Sequence, residues 1–259
     1  MADNQWASSI SSVAANEIRV RGYRLEELMG KVSFGEAVYL VLRGELPGRE
    51  TGRLVEALLV ASIDHGVTPP STLAVRNAAT TGAPLNACLA AGALAVNRHH
   101  GGAVEDCMKL LARGAARVAR GDSPAAAAAA LITEEKGAGR RLPGFGHRLH
   151  TDDPRSRRLL ALAREAGASA AHVAVAETVA AQLVAGGKPL PLNVDGAIAA
   201  VLADLGFTPG LANGFFILAR TAGWMAQVSE ELEREKPMRT IDQRAAVYDG
   251  PAPRTLPAR

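Results

Sequence analysis

The segment from 142 to 155, LPGFGHRLHTDDPR, combines side chains that could move a proton and hold an anion. Histidine titrates near neutral pH, so His147 in this glycine-rich loop could act as a general acid or base. Asp153 is predicted to cap a helix that begins at Pro154, which places Arg155 in the first helical turn. Free N–H groups in that turn favour a carboxylate or phosphate. A capped surface loop with a solvated arginine explains the same spacing.

A second histidine with possible chemistry is His100, in the segment HHGGAVEDCMKLL. It stands just before a predicted helix with an apolar face. The positive end of the helix dipole disfavours an imidazolium, so His100 would stay neutral and able to donate a hydrogen bond. Such a donor suits a thioester carbonyl that becomes an enolate. The alternative is a structural histidine pair formed with His99.

An aspartate and an arginine lie in apolar segments further along the chain. Asp195, in PLPLNVDGAIAAVL, is predicted to be buried, which raises a carboxyl pKa and would let the group exchange a proton with carbon. Its alternative role is the N-cap of a helix that begins at Gly196. Arg220 is the only charged residue between 210 and 229. A buried arginine needs an anion, either an internal carboxylate or a substrate carboxylate.

The composition favours closely packed helices as the elements that position these groups. Hydrophobic residues make up 48% of the 259 positions and aromatic residues only 4%, so alanine, leucine and valine must fill the core. Alternating strand patterns are few. A chain of this length forms one large or two small domains.

Local signals place several of the helices. Ser33 and Glu36 are spaced as a capping box, and Gly44 is predicted to end that helix. Residues 1–20 are polar and small and are predicted to form a loose arm. Further helices are predicted over 50–63, 83–98 (buried), 122–130, 168–185 and 209–234.

The charge pattern argues against nucleic acid and membrane partners. The net charge is +3, the arginines are scattered, and no aromatic residues interleave with them, so a polyanionic small molecule is the better partner. No apolar run has the length of a membrane span, and no signal peptide is visible. Cys88 and Cys107 form no zinc pattern and are expected to be reduced thiols. We therefore expect a cytoplasmic protein without a metal site.

Several motifs together resemble the citrate synthase superfamily, including its citryl-CoA lyase branch. GFGHR followed by DPR resembles the central motif, and RGY followed by GELP resembles the N-terminal pattern. DHG before STLAVR, then HGGA, NVD, RTAGW and the terminal arginine segment resemble the remaining motifs in order. The resemblance implies an all-α, citrate-synthase-like fold in which 1–100 and 206–259 form a large helical domain and 101–205 form a small one.

The positions of these motifs imply roles for individual residues. The resemblance implies that the catalytic residues are His100, His147 and Asp195. It implies that the residues that bind the substrate are His65, Arg155, Arg220 and Arg244. It places the coenzyme A site at Gly144, Phe145 and Gly146. By itself, His65 is more typical of a helix cap or a surface residue. Arg244 would reach across a homodimer into the partner's site, although Ala245 stands where the superfamily usually has proline. Gln227 replaces a common histidine. The basic connector 136–141 could meet the phosphates of coenzyme A.

The GELP and DHG segments are almost adjacent, whereas a long helical region separates them in ordinary citrate synthases. This N-terminal shortening is similar to the citryl-CoA lyase module of ATP-citrate lyase. It implies reversible cleavage of citryl-CoA to acetyl-CoA and oxaloacetate, with the thioester as substrate and no tightly bound cofactor. Two alternatives remain: a synthase that condenses acetyl-CoA or another acyl-CoA with oxaloacetate, and a non-catalytic subunit that binds coenzyme A.

Overall fold

The computed structural model describes residues 6–146, 151–187, 190–240 and 242–256. Within these ranges the chain forms eleven α-helices and one small antiparallel sheet, so the predicted all-α class is confirmed. The strands are β1 (Ser11–Ala14), β2 (Glu17–Val20) and β3 (Tyr23–Arg24). The helices are α1 (Leu25–Leu28), α2 (Phe34–Arg43), α3 (Arg49–Ala61), α4 (Pro70–Thr80), α5 (Leu85–Leu94), α6 (Ala103–Ala119), α7 (Pro124–Gly137), α8 (Pro154–Glu165), α9 (Ala171–Ala185), α10 (Val194–Asp204) and α11 (Ala212–Arg234). Short 3-10 turns cover Pro209–Leu211 and Gln243–Ala245.

The small sheet corrects the prediction of a loose N-terminal arm. Strands β1, β2 and β3 pair in sequence order as an antiparallel meander. Arg21 and Gly22 have φ values of 48° and 87° and form the turn between β2 and β3, as two-residue hairpin turns require. The Arg21 guanidinium donates to the Val41 carbonyl at 2.7 and 3.0 Å and so attaches the meander to α2. The sequence concealed these strands because β1 is exposed on both faces and shows no alternation.

Capping residues begin and end the helices that were predicted from them. The Ser33 hydroxyl accepts from the Glu36 N–H, and the Glu36 carboxylate accepts from the Ser33 N–H, so the capping box of α2 is confirmed. Gly44 ends α2 with a left-handed φ of 94°. Asp153 caps α8, with Pro154 at its first position. These contacts are local, which is why the sequence predicts them well.

The prediction of a buried helix over 83–98 was wrong in its extent and its environment. Helix α5 ends at Leu94. The side chains at both of its ends are exposed, Leu85 at 44% and Leu94 at 79%. A mostly apolar helix with exposed leucines leaves apolar surface that the monomer does not cover.

Helix α10 lies at the centre of the main core. Its six residues from 197 to 202 are each at most 5% exposed, and it packs against α6, α8 and α9. Apolar residues of α2, α3 and α11 join the same core, which therefore includes elements of both predicted domains. A smaller cluster around Trp224 lies between α4, α5 and α11. None of the helices in the described ranges is both long and apolar enough to span a bilayer.

Candidate active site

A buried arginine on α11 provides the clearest anion-binding group. Arg220 is 5% exposed, and its Nε donates to the Ser62 carbonyl at 2.7 Å. The guanidinium lies over the Phe216 ring, 4.7 Å from its centre, in a cation–π contact. Within the described ranges, the buried Nη1 of Arg220 has no hydrogen-bond partner. Burial lowers the pKa of Arg220, and a donor at this depth is suited to an anionic ligand.

The turn that carries His65 packs tightly against α11. A Cβ at Gly223 would lie 3.0 Å from the Asp64 side chain, so the absence of a side chain permits this approach. Partial desolvation and the positive charges of Arg155 and Arg220 lower the pKa of His65. The imidazole is therefore neutral near pH 7 and lies within electrostatic range of both arginines.

His100 lies in a tight turn immediately before α6. Its backbone exchanges two hydrogen bonds of 2.8 Å with Asn97, and Gly101 continues the turn with a φ of 84°. The imidazole packs edge-to-face on Phe216, with ring centres 5.6 Å apart. Burial and the charge of Arg220 lower the pKa of His100. These two causes favour the neutral imidazole that the sequence argument attributed to the helix dipole.

A serine that the sequence analysis did not single out holds the His100 ring. The Oγ of Ser71 lies 2.7 Å from His100 Nε2 and accepts a hydrogen bond of 3.3 Å from Trp224 Nε1. Indole N–H is only a donor, and within the described ranges the Ser71 hydroxyl has no acceptor besides the imidazole. The hydroxyl therefore donates to Nε2, which leaves the proton on Nδ1. Nδ1–H is then the donor that His100 offers to a ligand.

Asp195 is the second residue of α10. Asn193, whose side chain accepts from the Gly196 N–H at 3.1 Å, is the N-cap, so the alternative role of Asp195 as the cap is wrong. Burial raises the pKa of the Asp195 carboxyl, while Arg155 and Arg220 oppose the rise. A carboxyl with a raised pKa can accept and return a proton nearer to neutral pH than an exposed aspartate can.

The glycine-rich loop is attached to the segment that leads into α10. Gly146 N–H donates to the Pro191 carbonyl at 2.7 Å, and Asn193 N–H donates to the Gly144 carbonyl at 3.0 Å. The Asn193 side chain adds a bond of 2.8 Å to the Gly146 carbonyl. Phe145, one of the residues implied for coenzyme A, is 9% exposed and belongs to the main core. Its side chain therefore anchors the loop.

The next residue, His147, lies outside the described residues. Beyond that gap, Arg155 is held at the start of α8 by the carboxylate of Asp153, with a shortest N–O distance of 2.9 Å. The Arg155 side chain keeps 30% of its surface exposed, so it remains accessible to a ligand. Asp153 itself is completely buried.

Two basic groups that the resemblance implies for binding substrate or coenzyme A are already paired with carboxylates of this chain. The Arg244 side chain is 91% exposed and pairs with Asp242 at 2.8 Å. In the basic connector, Arg140 is already paired with Glu135 at 2.7 Å. Arg140 and Arg113 lower the pKa of Glu135 to about 2, against the effect of burial.

Gln227, the departure from the superfamily pattern, supports the His65 turn. Its Oε1 accepts a bond of 2.7 Å from Nη1 of the buried Arg76. Its amide nitrogen lies 3.4 Å from both carboxylate oxygens of Asp64. The contact joins α4 and α11 to the turn, a link that sequence spacing alone does not reveal.

Five residues that the sequence analysis singled out interact electrostatically in one region of the structure: His65, His100, Arg155, Asp195 and Arg220. Two cations can hold carboxylates, a neutral imidazole can donate to a carbonyl oxygen, and a carboxyl can exchange a proton with carbon. This combination suits chemistry at the carbon next to a carbonyl in an anionic substrate.

The helical fold and this cluster define a citrate-synthase-type protein. Residues 48–241 match the family model for the citrate synthase C-terminal domain, and the chain belongs to that family. It is 42% identical to the citryl-CoA lyase of Hydrogenobacter thermophilus, with a TM-score of 0.88 and coverage of 97% of both chains.

Two further relatives match over part of their length. The chain is 32% identical over 208 residues to a putative citrate synthase 2 of Mycobacterium tuberculosis, covering 78% of this chain and 52% of the relative. It thus spans about half the length of that curated relative. The ATP citrate lyase of Methanothrix soehngenii shares the fold, with a TM-score of 0.85 at 23% identity, 97% coverage of this chain and 43% of that chain.

Proposed function

We propose that this protein cleaves (S)-citryl-CoA to acetyl-CoA and oxaloacetate in a reversible carbon–carbon lyase reaction. One observation carries the proposal: a neutral imidazole, His100, and a carboxyl with a raised pKa, Asp195, lie within electrostatic range of the buried Arg220. The similarity to the Hydrogenobacter citryl-CoA lyase over 97% of both chains supports the choice of substrate.

Substrate binding relies on the positive groups. The Nη1 of Arg220 has no partner in the described ranges and would donate to one carboxylate of the substrate. The Nε and Nη2 of Arg155 donate to the Asp153 carboxylate, which fixes the guanidinium. Its Nη1 would then donate to a second carboxylate of the substrate. The neutral His65 would add a hydrogen bond. Together these contacts hold the citryl group in one orientation.

Cleavage needs two proton transfers and one stabilised oxyanion. By its place in the motif, we assign to His147 the removal of the proton from the citryl hydroxyl. The hydroxyl oxygen becomes the keto oxygen of oxaloacetate, the carbon–carbon bond breaks, and its electron pair forms the thioester enolate. The Nδ1–H of His100 donates to the enolate oxygen, and the Asp195 carboxyl protonates the enolate carbon to give acetyl-CoA. In the reverse direction Asp195 is the base.

A synthase that condenses acetyl-CoA with oxaloacetate and then hydrolyses the thioester is the second candidate. The identity of 32% with a putative citrate synthase 2 favours it. Product analysis separates the candidates. The purified protein is given citryl-CoA in one reaction, and acetyl-CoA with oxaloacetate in another. A lyase converts the first mixture to acetyl-CoA and oxaloacetate without free thiol, whereas a synthase releases coenzyme A thiol from the second. Binding of coenzyme A without turnover of any thioester would indicate a non-catalytic subunit.

We also propose that the protein is a homodimer or a dimer-based oligomer. The exposed leucines of α5 support this, because they leave apolar surface uncovered in the monomer. The exposed Arg244 would then contribute to the partner's site, in accordance with its motif.

A further inference from the structure

The carboxylate of Asp153 joins the beginnings of two helices. Its Oδ1 accepts from the backbone N–H of Arg155 at 3.0 Å and from Arg155 Nε at 3.1 Å. Its Oδ2 accepts from Arg155 Nη2 at 2.9 Å and from the Val194 N–H at 3.1 Å, across 41 residues of sequence. Asp153 precedes α8, and Val194 is the first residue of α10. The buried Asp153 carboxylate therefore binds both α10, which carries Asp195, and α8, which carries Arg155.

Capping alone does not explain these contacts. Ser123 caps α7 through one hydrogen bond, in which its hydroxyl oxygen accepts from the Ala126 N–H at 3.1 Å, and the residue remains exposed. Asp153 instead is 0% exposed, and a fully buried charge is costly unless several donors satisfy it. Half of its hydrogen bonds go to the Arg155 side chain, and one goes to the residue directly before Asp195.

We propose that Asp153 is a positioning residue for the acid–base step, which fixes Arg155 and Asp195 relative to one another and keeps the charge of Arg155 partly neutralised beside Asp195. The inference rests on the proposed function for the role of Asp195, but the contacts themselves do not depend on it.

The charges around Asp195 agree with this role. Burial is the main cause that raises the pKa of Asp195, Arg155 and Arg220 oppose it, and the negative charge of Asp153 adds to it. The Cys107 thiol on α6 lies within electrostatic range of this carboxyl. Burial, and then the charge of Asp195, strongly raise the pKa of the thiol, so it stays neutral. Despite burial, the hydrogen bonds from Arg155 and Val194 lower the pKa of Asp153, so it is the ionised member of the two aspartates.

The test compares Asp153→Asn with Asp152→Asn, which removes the same charge one residue earlier. Asp152 is 64% exposed and contacts Arg157 only as a surface ion pair. The titration of Asp195 is followed by carbon NMR of its carboxyl, identified by its loss in Asp195→Asn. Hydrogen exchange of the Val194 amide is measured in the same proteins. Neither readout requires turnover.

We expect Asp153→Asn to lower the pKa of Asp195 and to speed exchange of the Val194 amide by about tenfold or more, since a charge-assisted hydrogen bond is lost. Asp152→Asn should change neither. If Asp153→Asn does not fold, Asp153→Ser replaces it, because serine retains the cap of α8 but not the bridge to Arg155 and Val194. An unchanged Asp195 titration together with unchanged Val194 exchange in a folded variant would overturn the proposal.

Turnover gives a separate readout. Cleavage requires the protonated form of Asp195, so the alkaline limb of the kcat profile should move to lower pH in Asp153→Asn. Near pH 7, kcat should decrease by at most about tenfold. A merely structural role would lower stability without moving this limb. If the wild-type protein does not turn over citryl-CoA, the proposed function fails, while the NMR and exchange data still decide whether Asp153 positions Asp195.

Discussion

At the scale of single residues, Asp195 and His100 have different proposed roles: Asp195 is the proton donor, and His100 is the hydrogen-bond donor to the enolate. Burial raises the pKa of the Asp195 carboxyl and lowers the pKa of the His100 imidazole, so each group favours its neutral form more than an exposed group of its type does. The neutral imidazole can stabilise the enolate, and the neutral carboxyl can then protonate it. The negative charge passes to the Asp195 carboxylate, which lies within electrostatic range of Arg155 and Arg220.

Replacing Asp195 by asparagine removes the transferable proton and keeps the shape of the side chain. We expect kcat for citryl-CoA to fall by about 100-fold to 10,000-fold, the usual contribution of a general acid. The circular dichroism spectrum should be unchanged. Asp106→Asn on the exposed side of α6 is the control and should retain wild-type turnover. Retained activity in a folded Asp195→Asn variant would remove this residue from the mechanism.

Ser71 sets the tautomer of His100, so its hydroxyl should affect kcat more than KM. In Ser71→Ala, Nε2 of His100 and the indole N–H of Trp224 both lose a partner. We expect kcat to fall about tenfold, the equivalent of one lost neutral hydrogen bond in the transition state. Ser229→Ala is the control, since that hydroxyl bonds Glu233 on the exposed face of α11. Equal turnover in both variants would contradict the assigned tautomer.

At the scale of elements, the chain relies on side chains that bind helix N-termini from elsewhere in the fold. Asp204, at the end of α10, accepts from the N–H groups of Ala170, His172 and Val173 at 2.8 to 3.0 Å and from His172 Nδ1 at 2.7 Å. Although burial opposes it, these hydrogen bonds lower the pKa of Asp204. The carboxylate therefore stabilises the start of α9.

The sign of the resulting pH dependence follows from that lowered pKa. The ionised carboxylate stabilises the folded protein above the unfolded pKa of about 3.9, and this contribution is lost as pH falls through the folded value. We expect Asp204→Asn to lower the free energy of unfolding by about 1.5 to 3 kcal/mol at pH 7. In urea titrations the difference from wild type should shrink toward pH 3. Asp249→Asn in the exposed tail should have no such effect, and an Asp204→Asn effect that is independent of pH would contradict this account.

Local features of these elements were predictable from sequence, and long-range contacts were not. Ser33 with Glu36 and Asp153 with Pro154 act within one turn, so their spacing suffices to predict the caps. The bond from Val194 to Asp153 depends on how α8 and α10 pack, and no spacing rule predicts it. The contact of Ser71 with His100 likewise joins α4 to the turn before α6. The resemblance of motifs indicates the candidate reacting groups. The residues that orient these groups can be identified only from the folded structure.

At the scale of the whole molecule, apolar surface on α5 should form a contact between copies of the chain. Composition alone predicted burial of this helix, and a partner would supply the burial that the monomer lacks. We expect Leu94→Glu to shift the protein toward monomer in sedimentation velocity experiments, because a charge would be placed in an apolar interface. Val184→Glu changes an exposed apolar residue of α9, 59% exposed, and should leave the assembly unchanged. Identical sedimentation of the two variants would contradict an interface at α5.

The most direct test of the lyase account is the fate of citryl-CoA incubated with the protein in heavy water. If the Asp195 carboxyl, exchanged with solvent, protonates the enolate, the acetyl-CoA formed in the first turnover carries one deuterium in its methyl group and appears with an equal amount of oxaloacetate. Mass spectrometry measures both. Release of free coenzyme A and citrate, with no labelled acetyl-CoA, would contradict the account.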